Sequence, residues 1–496
     1  MGLNNALSIA SSGLNAVQYA MSVSSQNTAN ASTAGYIAEQ PTVVASAGNG
    51  VGNGVLVAGT RLATNTQVQT ALYAQNSLAS YASTQNNTLS TIAALQGSTS
   101  AASGSSGTLS DLLGNIRSAV VSLSSNVTNS AAQSSVVSAA QNFSQSLNNI
   151  AQNIQQQRQN AQDSVVSTVK DINTNLTTIG SLSTQIMSLK SVGKDTADLE
   201  NQRFTALNSL SGDMGITWKV SANGDMNIST TDGVALPTRA TSSSGQIVVT
   251  DNFPLTTSDA TISESSTYPA SENGQAIPGI MLNGVDVTAN LKGGTLGASI
   301  DLRDNTLPVM QAQCDSLAYS VASRFQAQGI SLFTDSAGQI PAADQTSSPP
   351  SGSLGFAQTI RVSSQYQDAP SLLNAGTAVQ NVLSQTFGST VTGVPSTGLG
   401  VSGTLNLGYS GQQDLISLAT ALTANQASVA ADASSRSSLA QSTQTNLQSQ
   451  FSSASGVSID KEMANIVSLQ NAYSANAKII SAVQSMFSSL LSAVGN

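Results

Sequence analysis

The chain has 496 residues, a formal net charge of −9 and charged side chains at only 8% of its positions, against roughly 25% in ordinary globular proteins. Its 16 lysines and arginines are too few to form the basic surface that nucleic acids or anionic membranes require. Ser, Thr, Asn, Gln and Ala take the place of charge, which suits subunits that pack side by side because few charges lose their water. A compositional bias of the host is the alternative explanation.

The first 30 residues predict a helix with an apolar seam. Apolar positions are spaced alternately by four and three residues, which is the pattern of a coiled coil. Asn27, Asn30 and Ser32 break this pattern, and Gly35 is the predicted stop of the helix. The seam residues are Leu3, Leu7, Ala10, Leu14, Val17 and Met21.

The middle of the chain predicts helices with a β-rich region between them. Residues 36–61 predict short strands and turns. At Gly215 the helical pattern gives way to apolar alternation around Asn223-Gly224-Asp225, which predicts a hairpin, and β-rich sequence continues over 216–295. Residues 331–410, rich in Gly, Pro and Ser, predict irregular or strand-containing structure. Helical segments are predicted at 62–96, 110–190, 196–210, 296–329 and from about 412 to the end, with a break near Gly456.

The last 40 residues predict a second helix with an apolar seam of the same spacing. Asp460 and Glu462 in its first turn complement the helix dipole. Because neither helix can bury its own seam, the simplest arrangement pairs the two ends of the chain and leaves any uncovered seam for another subunit. The alternative is that both helices cap a globular core. The C-terminal seam residues are Ile459, Met463, Ile466, Tyr473, Ala477, Ile480, Phe487 and Leu491.

Taken together, these elements predict a mainly α fold with an inserted β domain. Residues 1–60 with 441–496 are expected to form a terminal coiled-coil domain. Residues 61–215 with 296–440 are expected to form a body of long helices. Residues 216–295 would then be a β-rich outer insertion, since pairing the chain ends places the middle of the chain outermost.

The residue types that most catalytic and metal sites need are missing. The chain has no histidine, which excludes Ser-His-Asp and Cys-His catalysis and histidine-bearing zinc sites. Its single cysteine, Cys314, is predicted to be buried and inert. Asp301 and Asp304 lie on one helical face with Arg303 between them, which favours a structural ion pair or cap over an acid–base pair. We therefore predict no catalytic residue, no metal site, no cofactor and no enzymatic activity.

Four segments resemble the rod–hook–junction family of flagellar axial proteins. Two lie near the N-terminus: Leu14-Asn15-Ala16 with Asn27-Thr28-Ala29-Asn30 and Thr33-Ala34-Gly35-Tyr36, and the run from Gly52 to Arg61. The run from Gly293 to Asp304 is similar to the junction branch of the family, and hook and rod proteins do not carry it. The run from Glu462 to Lys478 is similar to the C-terminal signature of the whole family. The motif residues are Asn30, Gly35, Tyr36, Arg303, Asp304 and Asn476.

The resemblance implies a structural subunit of the bacterial flagellum at the hook–filament junction, whose terminal helices form a coiled coil lining an inner tube. It implies an extracellular protein exported through the flagellar type III apparatus without a cleavable signal, in agreement with the absence of Lys and Arg before Arg61. The expected partners are further copies of itself in a ring, the hook protein, a second hook–filament junction protein and a flagellar export chaperone. Nucleic acid and membrane are not expected partners.

Two other interpretations stay open. A hook or rod protein of the same family would share both ends of the chain, but not the run from Gly293 to Asp304. A secreted coiled-coil effector or adhesin would be expected to carry an outward module with aromatic-lined pockets, whereas the chain has a single tryptophan.

Overall fold

The structure, a computed structural model, describes residues 2–33, 35–48, 51–97, 107–241, 247–248, 253–271, 274–341, 353–388, 397–410 and 413–494. Most of these residues are helical, which confirms the prediction of a mainly α fold. The helices are α1 (Leu3–Asn30), α2 (Thr66–Leu95), α3 (Leu109–Ser125), α4 (Ser130–Ser191), α5 (Ala197–Asp213), α6 (Gly294–Asp301), α7 (Leu307–Gln326), α8 (Phe356–Thr359), α9 (Ser364–Asp368), α10 (Gly376–Asn381), α11 (Leu415–Ser455) and α12 (Ile459–Val494).

The strands of the described residues form small sheets of two or three members. Single-turn segments complete the structure: 3₁₀ turns at Thr288–Asn290 and Pro370–Leu372, and π-helical turns at Leu302–Thr306 and Val382–Thr386. The strands are β1 (Glu39–Gly48), β2 (Val51–Leu62), β3 (Ile216–Val220), β4 (Met226–Thr230), β5 (Ala235–Leu236), β6 (Ala240–Thr241), β7 (Ile247–Val248), β8 (Leu255–Thr256), β9 (Ser266–Thr267), β10 (Gln275–Ala276), β11 (Met281–Leu282), β12 (Val285–Asp286), β13 (Phe333–Thr334) and β14 (Arg361–Val362).

β1 and β2 form one long antiparallel hairpin, in place of the short strands predicted over 36–61. Two register shifts bend the hairpin, and the second lies between Ser46 and Ala47. Gly54, the partner of Ser46, has φ +102°, and a Cβ there would lie 2.1 Å from Oγ of Ser12 in α1. A glycine is therefore needed where α1 meets the backbone of the hairpin.

One compact unit of the structure contains Met1–Leu78, Asp171–Pro254 and Gln441–Asn496. β3, β4 and β5 form an antiparallel sheet, which confirms the hairpin predicted after Gly215. The ring of Trp218 in β3 lies 5.6 Å from that of Phe204 in α5 and 6.5 Å from that of Tyr73, measured between centroids. Nη1 of the buried Arg203 donates to the carbonyl oxygen of Gly224 over 2.6 Å. The sheet is thus fixed to α5 by both aromatic packing and a charge-assisted hydrogen bond.

A second compact unit contains Ala79–Lys170 and Leu255–Ala440. Apolar residues of α3, the first part of α4, and α7 fill its core. Aromatic rings there pack edge to face, including Phe325 against Phe333 at 5.4 Å between centroids. Cys314 of α7 is buried in this core, as predicted. The stretch 331–410 contains the short helices α8 to α10, which the Gly/Pro/Ser-rich composition did not predict, because single side chains such as Phe356 anchor each of them in the core.

The two units divide the chain at other points than the predicted three domains. Both chain ends fall in the first unit, but so do residues 171–215. The region 216–295 is shared, with β3 to β7 in the first unit and β8 to β12 in the second. Each small sheet attaches to a helix nearby: Trp218 packs on α5, whereas Arg158 of α4 donates to the carbonyl oxygens of Ser263 and Ser266. The three-domain division stays a prediction.

Candidate assembly surface at the chain ends

Helices α1 and α12 pack against each other in the first unit, in antiparallel directions. In the first half of α1, a Cβ on Gly13 would lie 3.2 Å from the amide of Asn476. Near its end, Nδ2 of Asn27 donates to Oε1 of Glu462 over 3.1 Å. The two helices therefore run in opposite directions. The two ends of the chain are side by side, and their supercoiling as a coiled coil stays a prediction.

Another face of α1 contacts the β1–β2 hairpin. The backbone N–H of Val55 donates to Oγ of Ser12 over 3.2 Å. Further along α1, the hydroxyl of Tyr19 lies 2.6 Å from that of Thr60 and donates to Oδ2 of Asp195 over 2.5 Å. Because α12 and the hairpin cover different faces of α1, α1 lies between them within this unit.

The predicted seam of α1 is covered along its whole length. Ala10 is buried, at 2% exposure, and the other five seam residues are partly buried. Ile9 is the one large apolar residue of α1 that is exposed among those described, at 37%. The partly buried members are Leu3, Leu7, Leu14, Val17 and Met21.

The predicted seam of α12 is only half covered. Ile466, Ala477, Ile480 and Phe487 are partly buried, whereas Ile459, Met463, Tyr473 and Leu491 are exposed. Val483, which is not a predicted seam residue, is buried, at 2% exposure. The covered stripe follows the contact with α1, and the apolar part of α12 is wider than that contact. The heptad spacing predicted an apolar stripe on this helix, but not which part of it α1 would cover.

Exposed apolar side chains concentrate on α12. Between Met463 and Ala477, and again after Lys478, the helix has no charged residue. A further protein surface could therefore cover this helix with little loss of charge hydration. The exposed large apolar residues of α12 are Ile459, Met463, Val467, Tyr473, Ile479, Met486, Leu490 and Leu491.

A cleft of about 570 Å³ opens beside the α1–α12 contact. It is lined by Gln18 and Met21 of α1 and by Gln470, Tyr473 and Ser474 of α12. Two of the predicted seam residues, Met21 and Tyr473, thus meet at this cleft. Its mixed lining and open shape suit contact with another polypeptide better than enclosure of a small ligand.

A buried polar joint connects α1, the hairpin, α5 and α12. Asn27, 1% exposed, donates to the carbonyl oxygen of Glu39 and accepts from its backbone N–H and from the hydroxyl of Tyr36. Nδ2 of Asn201 in α5 donates to a carboxylate oxygen of Glu39 over 3.0 Å. Burial raises the pKa of Glu39 to about 7, although the Asn201 hydrogen bond lowers it and the charges of Asp198 and Asp195 raise it.

The N-terminal motif residues have local roles in this joint. Nδ2 of Asn30 donates to the carbonyl oxygen of Gln26, one turn back, at the end of α1. Gly35, the predicted helix stop, has φ +79° but lies beyond the end of α1, which is at Asn30. Tyr36 then reaches Asn27, as described above. The motif segment included Asn27, but the sequence did not indicate that Asn27 rather than Asn30 makes the long-range contacts.

The motif residues Arg303 and Asp304, in the second unit, form a buried ion pair. Nε and Nη2 of Arg303 each donate to a carboxylate oxygen of Asp304 over 2.8 Å, and Nη1 donates to Oε1 of Gln162 over 2.6 Å. Burial raises the pKa of Asp304, while Arg303 opposes the shift. Asp301 is directed elsewhere and accepts from Nε2 of Gln85. The predicted structural ion pair is therefore confirmed for Arg303 with Asp304.

Within the described ranges, no group of three or more His, Cys, Asp and Glu side chains is placed to hold a metal ion. In the same ranges, no helix combines the length and hydropathy that a membrane crossing requires.

Two family models match the chain. The model of the flagellar hook-associated protein FlgK helical domain matches residues 95–339. The model of the flagellar basal body rod FlgEFG protein C-terminal region matches residues 448–493. The first match includes Arg303 and Asp304, and the second covers almost all of α12.

Individual proteins are similar to the chain as well. Flagellar hook-associated protein 1 of Salmonella typhimurium and that of Salmonella typhi are each 25% identical to the chain over 337 residues, or 66% of the chain and 56% of their own length. The chain thus spans little more than half the length of these relatives. The solved structure of the flagellar hook junction protein FlgK from Burkholderia pseudomallei is 24% identical, with a TM-score of 0.42 over 55% of this chain and 46% of that one.

Proposed function

We propose that this chain, which belongs to the flagellar hook-associated protein 1 family, is a non-enzymatic structural subunit that joins the hook of the bacterial flagellum to its filament. The observation that carries the proposal is the exposed apolar face of α12, on a helix whose other face already packs on α1. Such a face is an association surface rather than a reactive site. Its residues lie in the region matched by the rod-protein model.

Assembly would proceed by packing of the terminal helices into a ring of identical subunits. Each added copy would cover apolar area on α12, at about 25 cal/mol per Å² removed from water. The N-terminal seam, including Leu14 and Val17, would hold each copy's own α1 against α12. The C-terminal residues that stay exposed, including Ile459 and Leu491, would face neighbours.

The partners follow from a position between hook and filament. On one side the ring would contact the hook protein, and on the other a second hook–filament junction protein. Before assembly, a flagellar export chaperone would cover the apolar face of α12, since such a face promotes aggregation when it is free. The protein would act outside the cell, after export through the flagellar type III apparatus without a cleavable signal.

Deletion of the gene tests the proposal, with electron microscopy of the cell surface and an assay of flagellin in the medium. We expect hooks without filaments and flagellin released into the medium. The unaltered gene supplied on a plasmid should restore filaments. Intact filaments in the deletion strain would contradict the junction function.

A hook or rod subunit of the same family is a second candidate. The match of residues 448–493 to the C-terminal model of rod proteins favours it. The match of residues 95–339 to the hook-associated helical domain favours the junction. The same deletion separates the two candidates, because loss of a hook or rod subunit would leave cells without complete hooks.

A further inference from the structure

The exposed apolar residues of α12 include two patches that differ in their position along and around the helix. Each patch has three aliphatic side chains, all of them about half exposed: 51–54% in the first patch and 48–60% in the second. The first, patch A, is Ile459, Met463 and Val467, and the second, patch B, is Ile479, Met486 and Leu490.

The two patches lie on nearly opposite flanks of α12. At about 100° per residue their centres are roughly 160° apart around the helix, and about 22 residues, or roughly 30 Å, apart along it. The covered residues Ile466, Ile480 and Val483 occupy the face between the flanks, where α1 packs. Because α1 lies between the patches, one compact partner cannot cover both.

Each flank is apolar over only one half of the helix. Beyond patch A, its flank continues with polar residues such as Ser474 and Ser481, which are exposed. Before patch B, its flank begins with Lys461, Asn465 and Ser468, which are also exposed. The patches are therefore local features rather than parts of a uniformly apolar helix.

Neither patch is large enough to hold a dimer by itself. Complete burial of an aliphatic side chain removes roughly 60–120 Å² from water, so three half-exposed side chains offer on the order of 100–200 Å². A stable interface needs about 800 Å² from each partner. Contacts through these patches would thus persist only where neighbouring copies are also held by other surfaces, as in an ordered array.

We propose that patch A of one copy docks against patch B of the next copy, with parallel α12 helices offset by roughly 30 Å along their axes. This inference rests on the proposed function as a self-assembling subunit. The patches are matched in size and neither includes a charge, so each removes the exposed apolar area of the other. A contact between two different surfaces of identical chains repeats from copy to copy, and with an offset along the helix axis it produces a stepped helical array, whereas a symmetric contact would stop at a dimer.

Cysteine cross-linking on isolated flagella tests this pairing. The chain would carry Met463→Cys in patch A together with Met486→Cys in patch B, and would be treated with a short bismaleimide. We expect a ladder of dimers and larger multimers from the double variant, and monomers from each single variant. The parent chain should stay monomeric, since its own Cys314 is fully buried.

A matched control pair places cysteines on the polar halves of the same flanks, as Ser468→Cys with Ser481→Cys, and should give no ladder. A second test pair, Ile459→Cys with Ile479→Cys, should reproduce the ladder. Dimers from Met463→Cys alone would show that like patches meet, and would overturn the proposed pairing. If the variants with the two test pairs were present in flagella but stayed monomeric, another protein would cover the patches. This result would also overturn the proposed pairing. Absence of the parent chain from flagella would instead refute the proposed function itself, and this inference with it.

Discussion

Asn27 of α1 donates a hydrogen bond from Nδ2 to Oε1 of Glu462 in α12, over 3.1 Å, and so links residues 435 positions apart in the chain. The same side chain serves the backbone of Glu39 and the hydroxyl of Tyr36. Asn27→Ala would leave several buried groups without partners, which costs more than the hydrogen bonds themselves contribute. We expect the free energy of unfolding to fall by about 2–4 kcal/mol, measured by chemical denaturation followed by circular dichroism.

Asn30→Ala is the matched control for Asn27→Ala. Asn30 lies on the same helix, is only partly buried and donates to the carbonyl oxygen of Gln26 within α1. Its replacement should change the free energy of unfolding by roughly 0.5 kcal/mol or less. Equal losses from the two variants would show that Asn27 has no special part in joining the chain ends.

Because α1 approaches the hairpin closely, we expect one added methyl group to lower the thermal stability of the chain. In Gly54→Ala the new Cβ would collide with Oγ of Ser12, at 2.1 Å, and φ +102° would strain any side chain. We expect Gly54→Ala to lower the thermal midpoint and to expose the hairpin to proteolysis. Gly52→Ala is the control, because nothing lies within 4 Å of its Cβ position and its φ is ordinary. A thermal midpoint unchanged in Gly54→Ala would contradict the described packing.

The buried carboxyl group of Glu39 predicts a loss of stability at alkaline pH. Its pKa is about 7 in the folded chain against an ordinary value of 4.5, so the folded state holds the proton more tightly. The resulting stabilisation is fully present below pH 4.5 and is lost as the pH rises through 7. Glu39→Gln keeps an acceptor for Asn201 and carries no charge. We expect it to raise the free energy of unfolding at pH 9 by on the order of 1–3 kcal/mol and to have little effect at pH 5.

Asp460→Asn provides the control for the pH experiment, because Asp460 is exposed in the first turn of α12. Denaturation curves at pH 5, 7 and 9 should show the same pH dependence for Asp460→Asn and the parent chain. If Glu39→Gln also kept that dependence, a group other than Glu39 would be responsible for it.

Helix positions, which depend on neighbouring residues, were predicted from the sequence. Contacts between residues far apart in the chain were not. Alternating spacings of four and three predicted α1 and α12, and Gly456 lies in the break between α11 and α12, whereas α1 ends at Asn30, before the predicted stop at Gly35. The coverage of α12 was not predictable, because it depends on where Gly13 meets Asn476. Nor was the partnership of Glu39 with Asn201, since no local pattern connects residues 162 positions apart. For the same reason, the sequence did not predict which half of the α12 seam stays exposed.

The buried pair of Arg303 and Asp304 predicts a structural role for this motif. Arg303→Ala would leave a carboxylate with 6% side-chain exposure without its cation, which typically costs 3–5 kcal/mol of unfolding free energy. Arg436→Ala is the control, because its ion pair with Asp432 is exposed at 68% and 58% and contributes about 0.5 kcal/mol or less. Chemical denaturation of both variants measures the difference. If both variants lost only a small amount of unfolding free energy, Arg303 and Asp304 would act in contacts with other proteins rather than in the stability of this chain.

The terminal seams predict variants that fold but do not assemble. Leu14→Asp and Ile480→Asp each place a charge at a partly buried position of α1 or α12, where it would lose water without gaining a partner. We expect either variant to abolish filaments when it replaces the parent gene, and to leave the body formed by the second unit (79–170 and 255–440) resistant to limited proteolysis. The controls Asn15→Asp and Ser481→Asp add the same charge at the adjacent exposed positions and should support normal filaments. Filaments in cells that carry Leu14→Asp or Ile480→Asp would contradict the assignment of these seams, whereas a degraded body would mean that the chain ends are needed for the whole fold.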